Sequence, residues 1–270
     1  PYLGGGYGGK LAVKTGPLAA AVSWKAKRGG RLGHTIEESF KTVSRHPARV
    51  TIKTGVMKDG KLMARQCLIH METGAYADAG PRVTQKAGYR CFGPYRLPHM
   101  QTDAYTVYTN TVPAGAYRGF GTLQVTWAYE SQMDIIAEKL GLDPLDFRLK
   151  NLLKKGELYT PGDTPVDCDL KAGLLRAAKE IGWTTKKQAN RGKGLAVCMK
   201  DGGGTYKVSS AAVKMNADGS VVLLTGTVEV GQGARTALTQ VVAEELGLPL
   251  EAITVAQRDT DVTPYDVNSN

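Results

Sequence analysis

The sequence predicts an α+β fold built from two related mixed α/β domains. Three observations carry that prediction. Strand-like and helix-like apolar patterns alternate along the chain, three glycine-rich turns punctuate it, and one hexapeptide recurs at the end of a helix pattern in each half. The turns are Gly4-Gly5-Gly6-Tyr7-Gly8-Gly9-Lys10, Ala116-Tyr117-Arg118-Gly119-Phe120-Gly121 and Val230-Gly231-Gln232-Gly233. The second and third lead directly into strong helix patterns, the first into a weaker one. Glycine lets backbone approach a ligand closely, and the first turn of a helix carries N–H groups that suit anionic oxygens. Three such devices point to a large anionic ligand held mostly by backbone.

Taken in order, residues 11–27 read as a helix whose start is interrupted by Gly16-Pro17. Strands follow at 48–57 and 61–72, joined by the hairpin signal Lys58-Asp59-Gly60, and another lies at 102–109. Beyond the second glycine turn a helix runs over 122–140, with Tyr129, Met133, Ile136 and Leu140 on one face. Gly141 stops it, Asp143 caps the next helix and Pro144 opens that helix. Residues 154–166, rich in Gly, Pro and polar side chains, read as a linker. Asp169 then caps a helix with Leu170, Leu174, Ala177 and Ile181 on one side. A basic loop covers 186–193, and strands are expected at 194–200, 208–215 and 221–229, the last two turned at Ala217-Asp218-Gly219. A helix over 234–246 places Leu238, Val241, Val242 and Leu246 together, and a strand at 253–257 follows.

The recurring hexapeptide is Ala137-Glu138-Lys139-Leu140-Gly141-Leu142 against Ala243-Glu244-Glu245-Leu246-Gly247-Leu248. A common helix-stop pattern accounts for it alone. In each half, however, a glycine-rich turn enters that helix and an Asp-Gly hairpin lies upstream, which favours two related domains.

Composition narrows the function classes. At 270 residues, 42% hydrophobic and 22% charged, the chain has the balance of a soluble globular protein with ample core, which argues against disorder. No apolar run approaches the roughly 18 residues that cross a bilayer, so no membrane partner is expected. The opening at Pro1, inside a motif, and the stop at Asn270 read as an internal piece of a longer polypeptide. A net charge of +10 invites nucleic acid, but Lys and Arg are scattered and no aromatic-and-basic RNA motif is present. Cys67, Cys91, Cys168 and Cys198 are widely spaced, and His34, His46, His70 and His99 show no i,i+4 pair. Zinc and iron–sulfur ligation need clustered thiolates, so no metal is expected to be held directly by side chains. Buried reduced thiols and a cytoplasmic location are the expectation.

The first turn nearly satisfies two phosphate motifs. Gly4 to Lys10 fits GxxxxGK, but Leu11 stands where Ser or Thr ligates magnesium. Gly4, Gly6 and Gly9 fit GxGxxG, but the acidic ribose-binding residue expected about 20 residues on is missing. Tyr7 and Phe120 sit among glycines, either as hydrophobic plugs or as a clamp on a flat ligand. The Gln232 amide is placed either to bond a ligand or to bond nearby backbone.

With these residues in view, the chain resembles the molybdopterin-binding large subunit of the molybdenum hydroxylases, the family of xanthine dehydrogenase and aldehyde oxidase. The matching pieces are the first glycine turn, Arg45-His46-Pro47, Gly93-Pro94-Tyr95-Arg96-Leu97-Pro98, the second turn, the helices between 137 and 153, the segment 229–233 and Asp259-Thr260. The resemblance implies two domains of the molybdenum-cofactor-binding type with the cofactor between them. Residues 1–155 would be the later part of the first domain, 156–190 a linker and connecting helix, and 191–270 the start of the second. It implies molybdenum–molybdopterin, in its plain or cytosine dinucleotide form, with the metal held by the pterin dithiolene. Gly5, Gly6, Tyr7, Tyr117, Arg118, Gly119, Gly231, Gln232 and Gly233 would bind this cofactor. Gln232 would also act in catalysis, and Phe120 with Tyr7 would sandwich a planar substrate.

The implied reaction is hydroxylation of an aldehyde or N-heteroaromatic carbon with water as the oxygen source. The electrons would leave through [2Fe–2S] clusters to FAD on other segments or subunits, in a hetero-oligomer or dimer. Two departures from the xanthine-oxidising pattern bear on substrate. Leu11 replaces a glutamate, which disfavours xanthine, and Lys86 replaces an arginine, which suits an anionic or carbonyl-bearing substrate. The family's general-base glutamate would lie beyond Asn270, and Glu229 is not expected to replace it. Two other readings stay open: a phosphate- or dinucleotide-binding protein using the first turn, and a non-catalytic scaffold of the same fold.

Overall fold

The computed structural model describes residues 3–11, 15–160, 162–200 and 208–267. In chain order its elements are α1 (Gly16–Ala26), α2 (Ile36–Phe40), β1 (Ala48–Val56), β2 (Leu62–Gly74), α3 (Gly80–Arg90), β3 (His99–Tyr108), α4 (Thr122–Leu140), α5 (Pro144–Asn151), α6 (Leu170–Glu180), β4 (Ala211–Met215), β5 (Val221–Thr225), α7 (Ala234–Leu246) and β6 (Ile253–Val255). They form two compact units. One is Leu32–Lys200; the other joins Pro1–Arg31 to Asp201–Asn270.

In the larger unit β1 and β2 form an antiparallel hairpin, closed where Gly60 N–H donates to the Met57 carbonyl at 2.8 Å. β3 pairs parallel to β2, which requires a crossover, and α3 supplies it. Alternation along β2 turns Arg65, Cys67, Ile69 and Met71 inward. Val83 and Ala87 of α3 and Val125, Tyr129, Met133 and Ala137 of α4 close over them in one apolar cluster. The buried face of α4 repeats every four residues, so Val125 and Ala137 belong to it, while Ile136 and Leu140 lie at its margin.

A buried ionic group ties α4 to α5. Arg148 Nε donates to Glu130 Oε2 at 2.8 Å and Nη1 to Asp134 Oδ1 at 2.7 Å, while Tyr95 Oη donates to Glu130 Oε1 at 2.5 Å. Glu130, beside the Tyr95 hydroxyl, adds to burial in pushing that phenol well above its ordinary range. Asp143 Oδ1 accepts from the Leu145 and Asp146 amides and so caps α5, an arrangement that contributes about 1 kcal/mol.

The smaller unit repeats the sheet plan on a reduced scale. β4 and β5 form an antiparallel hairpin, β6 pairs parallel to β5, and α7 is the crossover. The hexapeptide echo thus pairs α7 with α4, whereas topology pairs α7 with α3. Gly141 at φ 65° and Gly247 at φ 64° end their helices with the same left-handed cap, so the echo is a shared stop signal. The kinship of the two units lies in the sheets.

Several expectations need correction. The helix at 11–27 begins only at Gly16, with Pro17 in its first turn, where a missing N–H costs nothing. No ladder forms over 194–200; Leu195, Val197 and Met199 pack singly against the larger core. On α6 the inward residues are Leu174 and Ala178, and Ile181 is exposed. On α7 Ala234 and Ala243 are buried, while Val241 and Leu246 face outward. Cys67 and Cys91 are buried, but Cys168 and Cys198 are exposed; all four are free thiols. α3 was not expected at all: its buried residues include only two large enough to signal an apolar face, Val83 and Ala87, beside Thr84 and Arg90.

Candidate functional site

The first and second glycine turns share one backbone device. Gly9 N–H donates to the Gly6 carbonyl at 2.9 Å, closing a turn over Tyr7 at φ 50° and Gly8 at φ 99°. Thr122 N–H donates to the Gly119 carbonyl at 3.0 Å, closing a turn over Phe120 at φ 48° and Gly121 at φ 91°. Two successive positive φ values define a type I′ turn. Each turn therefore puts an aromatic ring where the left-handed conformation costs a side-chain-bearing residue about 1–2 kcal/mol. Strain repeated in one form at two places is a reason to look there for a ligand.

The first and third turns, both in the smaller unit, pack backbone against backbone. A Cβ on Gly6 would overlap the Val230 carbonyl, and one on Gly231 would overlap the Cα and carbonyl carbon of Gly5. Gly231 holds φ 108°, a second reason for glycine there. The Tyr7 ring lies across Gly5 and is 60% exposed, so it forms an open face rather than a plug. Phe120 behaves differently: its ring is half-buried and packs against the larger core.

The third turn satisfies its own donors. Glu229 Oε1 accepts from the Gly231 and Gly233 amides at 2.9 and 3.0 Å, and Oε2 lies 3.5 Å from the Arg235 amide. The Gly233 N–H foremost, with those of Gly231 and Arg235, holds the Glu229 carboxyl below the usual carboxylate range. Glu229 is thus a fixed anion capping α7. The amides expected to be open to a ligand at this helix start are already engaged. Gln232 follows the local alternative of the two readings, with Oε1 accepting from Val230 N–H at 2.8 Å and Nε2 donating to the Val228 carbonyl at 2.9 Å. One amide hydrogen and one lone pair remain on it.

Around the second turn the larger unit builds a strap that the glycine pattern does not announce. Arg45 Nη1 donates to the Arg118 carbonyl at 2.9 Å, and the same guanidinium lies 4.9 Å from the Tyr117 ring centroid. Gln124 Nε2 donates to the His46 carbonyl at 3.1 Å, and His46 Nδ1 lies 2.7 Å from the Glu72 carbonyl. Burial pushes the His46 imidazole below its ordinary value, against the Glu72 bond and the nearby Asp78 charge. His46 Nε2, Thr122 Oγ1 and Gln124 Oε1 are buried without a partner among the described residues. Gly121 meets α3, where a Cβ would strike the Val83 carbonyl and approach the Ala87 amide. Lys86, half-buried on α3, is adjacent in sequence to Ala87, and so sits on the helix that carries this turn.

Sequence reasoning also passed over Arg258 in the smaller unit. Its Nε and Nη2 are buried without a partner among the described residues. Burial, followed by repulsion from Arg235, depresses its guanidinium, with Glu229 opposing. No periodicity or spacing signals it. Among the described residues no group of three or more His, Cys, Asp and Glu side chains is placed to hold a metal ion, and no helix is long and apolar enough to cross a membrane.

Two models of a molybdopterin cofactor-binding domain match the chain, over residues 1–152 and 170–270. The chain belongs to the molybdopterin-binding family of the molybdenum hydroxylases. Within that family it is similar to a probable xanthine dehydrogenase subunit from Bacillus subtilis strain 168, at 35% identity over 99% of this chain and 37% of the relative. The nicotinate dehydrogenase large molybdopterin subunit of Eubacterium barkeri is 41% identical over 59% of this chain and 38% of its own length. Among solved structures, aldehyde oxidoreductase from Desulfovibrio gigas has a TM-score of 0.76 at 28% identity, with 97% of this chain and 30% of that one covered. The chain therefore spans between 30% and 38% of the length of these relatives.

The turns suit a group gripped by peptide atoms. In the smaller unit the first turn presents glycine backbone beside the exposed Tyr7 ring. The Gly119 N–H has no hydrogen bond among the described residues.

Proposed function

We propose that the protein containing this chain hydroxylates an aldehyde or an N-heteroaromatic compound with oxygen from water, and that this chain contributes the backbone cradle for its molybdopterin. The carrying observation is the pair of type I′ turns with aromatic residues at Tyr7 and Phe120, reinforced by the Cβ-free crossing of the first and third turns. When bound, the cofactor supplies the metal centre for a two-electron oxidation, which side chains alone cannot perform.

In this reading Gly5, Gly6, Tyr7, Tyr117, Arg118, Gly119, Gly231, Gln232 and Gly233 bind the cofactor, mainly through peptide groups; Gly231 and Gly233, whose amides Glu229 holds, contribute close backbone approach and carbonyl oxygens rather than N–H donors. Gln232 uses the donor and acceptor capacity left by its local bonds. Phe120, held by its packing on the larger core, covers a flat substrate. Lys86 attracts an anionic or carbonyl-bearing one, a role in keeping with a nicotinate dehydrogenase subunit among the relatives. Cofactor-binding domains ending near 155 and beginning near 191 are part of the proposal. So are iron–sulfur and flavin partners in a hetero-oligomer, a cytoplasmic location, and the plain or cytosine dinucleotide pterin.

The test is metal and pterin analysis of the intact subunit purified from its native host with its partners, followed by turnover of a panel of aldehydes and N-heteroaromatics. Molybdenum and pterin near one per subunit, with water-derived oxygen in the product, is the expected result. Bound nucleotide without molybdenum would replace this reading with the phosphate-binding one. Lys86→Ala should raise KM for a heteroaromatic carboxylate about tenfold while changing a neutral aldehyde little, about the effect of losing one charge-assisted contact.

A further inference from the structure

The second turn contains a further device one residue upstream of its type I′ half. Phe120 N–H donates to the Tyr117 carbonyl at 3.4 Å, so residues 117–120 form their own turn, with Arg118 and Gly119 at its centre. Gly119 has φ 91°. That value fits the third position of a type II turn, near +80°, and not that of a type I turn, near −90°. The two types differ by a flip of the central peptide, here the one joining Arg118 to Gly119. Which way that peptide faces decides where its carbonyl and its N–H point.

The carbonyl is captured. Arg45 Nη1 donates to the Arg118 oxygen at 2.9 Å from 73 residues away, and the guanidinium rests over the neighbouring Tyr117 ring at 4.9 Å. Arg45 is itself held: Ser44 N–H donates to the Pro113 carbonyl at 3.2 Å, Gly115 N–H to the Ser44 carbonyl at 3.1 Å, and the His46 carbonyl accepts from Gln124. The strap is thus anchored before and after the turn it grips. Among the described residues there is no cis peptide bond. In a planar trans peptide the C=O and the following N–H point in opposite directions. Fixing the Arg118 oxygen on Arg45 therefore aims the Gly119 N–H away from the strap, where it meets no acceptor among the described residues.

We propose that Arg45 is a positioning residue that holds the Arg118–Gly119 peptide in its type II orientation, so that the Gly119 N–H is presented as a donor to an anionic oxygen of the bound cofactor. The inference rests on the cofactor reading above for the identity of the acceptor, but not for the peptide orientation. Arg45 acts through the backbone and touches neither substrate nor reacting atoms. A guanidinium suits the task because its fork bonds the carbonyl while its plane covers the Tyr117 ring.

The experiment uses the intact subunit with its partners and the variants Arg45→Met and Arg45→Lys. The first readout is a crystal structure of the cofactor-free Arg45→Met protein, in which Gly119 should move to negative φ as the peptide flips. The second is the rate at which loaded enzyme loses molybdenum and pterin during prolonged dialysis. Arg45→Met should lose them about tenfold faster, the effect of one donor bond, with Arg45→Lys restoring the rate to within about threefold of the parent. If Gly119 keeps its positive φ in Arg45→Met, the positioning role is overturned. If the peptide flips but cofactor loss is unchanged, the Gly119 donor role is overturned. Should Arg45→Met fail to fold, Arg45→Gln, which keeps one donor, is carried through both readouts on the same criteria. A parent protein that never contains molybdopterin would refute the cofactor reading and the acceptor, while the structural arm still decides the role of Arg45.

Discussion

Replacing Gly231 by alanine is the sharpest perturbation of the smaller unit. At φ 108° a Cβ is strained by about 1–2 kcal/mol, as for any L-residue forced to positive φ. The same methyl would enter the Cα and carbonyl carbon of Gly5 and lie 2.5 Å from the Gly6 nitrogen. These are backbone atoms that cannot rotate aside, so the first and third turns must separate, at an overpacking cost of about 1–3 kcal/mol. The sum, about 2–5 kcal/mol, corresponds to an increase in local opening of about 30-fold to several thousand-fold. Gly233→Ala is the control. Gly233 also has positive φ, at 76°, but a Cβ there meets nothing within 4 Å, so only the conformational term of about 1–2 kcal/mol applies. Hydrogen exchange in the intact subunit, followed by mass spectrometry on peptides spanning 3–11 and 226–236, separates the two. Gly231→Ala should raise exchange in both peptides, and Gly233→Ala mainly in the second. Equal effects from the two substitutions would refute the claim that the turns are in backbone contact.

Other expectations concern charge. The Glu229 carboxyl is held below its ordinary value, so its contribution is complete above the unfolded carboxylate pKa and disappears as pH falls through the lower folded value. Exchange of the Gly231 and Gly233 amides should therefore rise in acid below the usual glutamate range, and Glu229→Gln should remove that pH dependence. His46 is also depressed, by burial, so the larger unit should lose stability as pH falls from about 6.5 toward the lower folded value; His46→Gln should flatten a thermal-unfolding profile over that window. Arg148→Met leaves Glu130 charged and buried, and should destabilise the α4–α5 contact by about 3–5 kcal/mol by thermal unfolding. Adding Glu130→Leu should recover much of that loss; a double variant no better than the single one would remove the buried pair from the account.

Much of the fold could be read in the chain because the signals are local. The bounds 122–140 and 234–246 match α4 and α7 because glycine in left-handed geometry stands at both ends of each helix. Asp143 and Asp169 mark helix starts through oxygens that bond amides two or three residues on. The two Asp-Gly hairpins at residues 60 and 219 held for the same reason. The Thr35–Glu38 capping box at the start of α2 is a local signal of the same kind. What failed was the assignment of faces and partners. Periodicity over 194–200 promised a strand, yet alternation costs little when side chains pack singly on a core with no neighbour to pair the backbone.

The sequence by itself determined where the chain turns, which glycines free the backbone, and, through its motifs, the family to which it belongs. Tertiary structure decided which peptide groups those turns leave open. Glu229 takes up the amides at the start of α7, Gln232 bonds its own loop, and Arg45 captures the Arg118 carbonyl from far along the chain. The physical reason is that glycine conformation depends on the residue and its neighbours, whereas the direction of a peptide N–H depends on what claims the opposite oxygen. That claimant is chosen by packing, and packing brings together residues whose separation in the sequence carries no mark of their meeting.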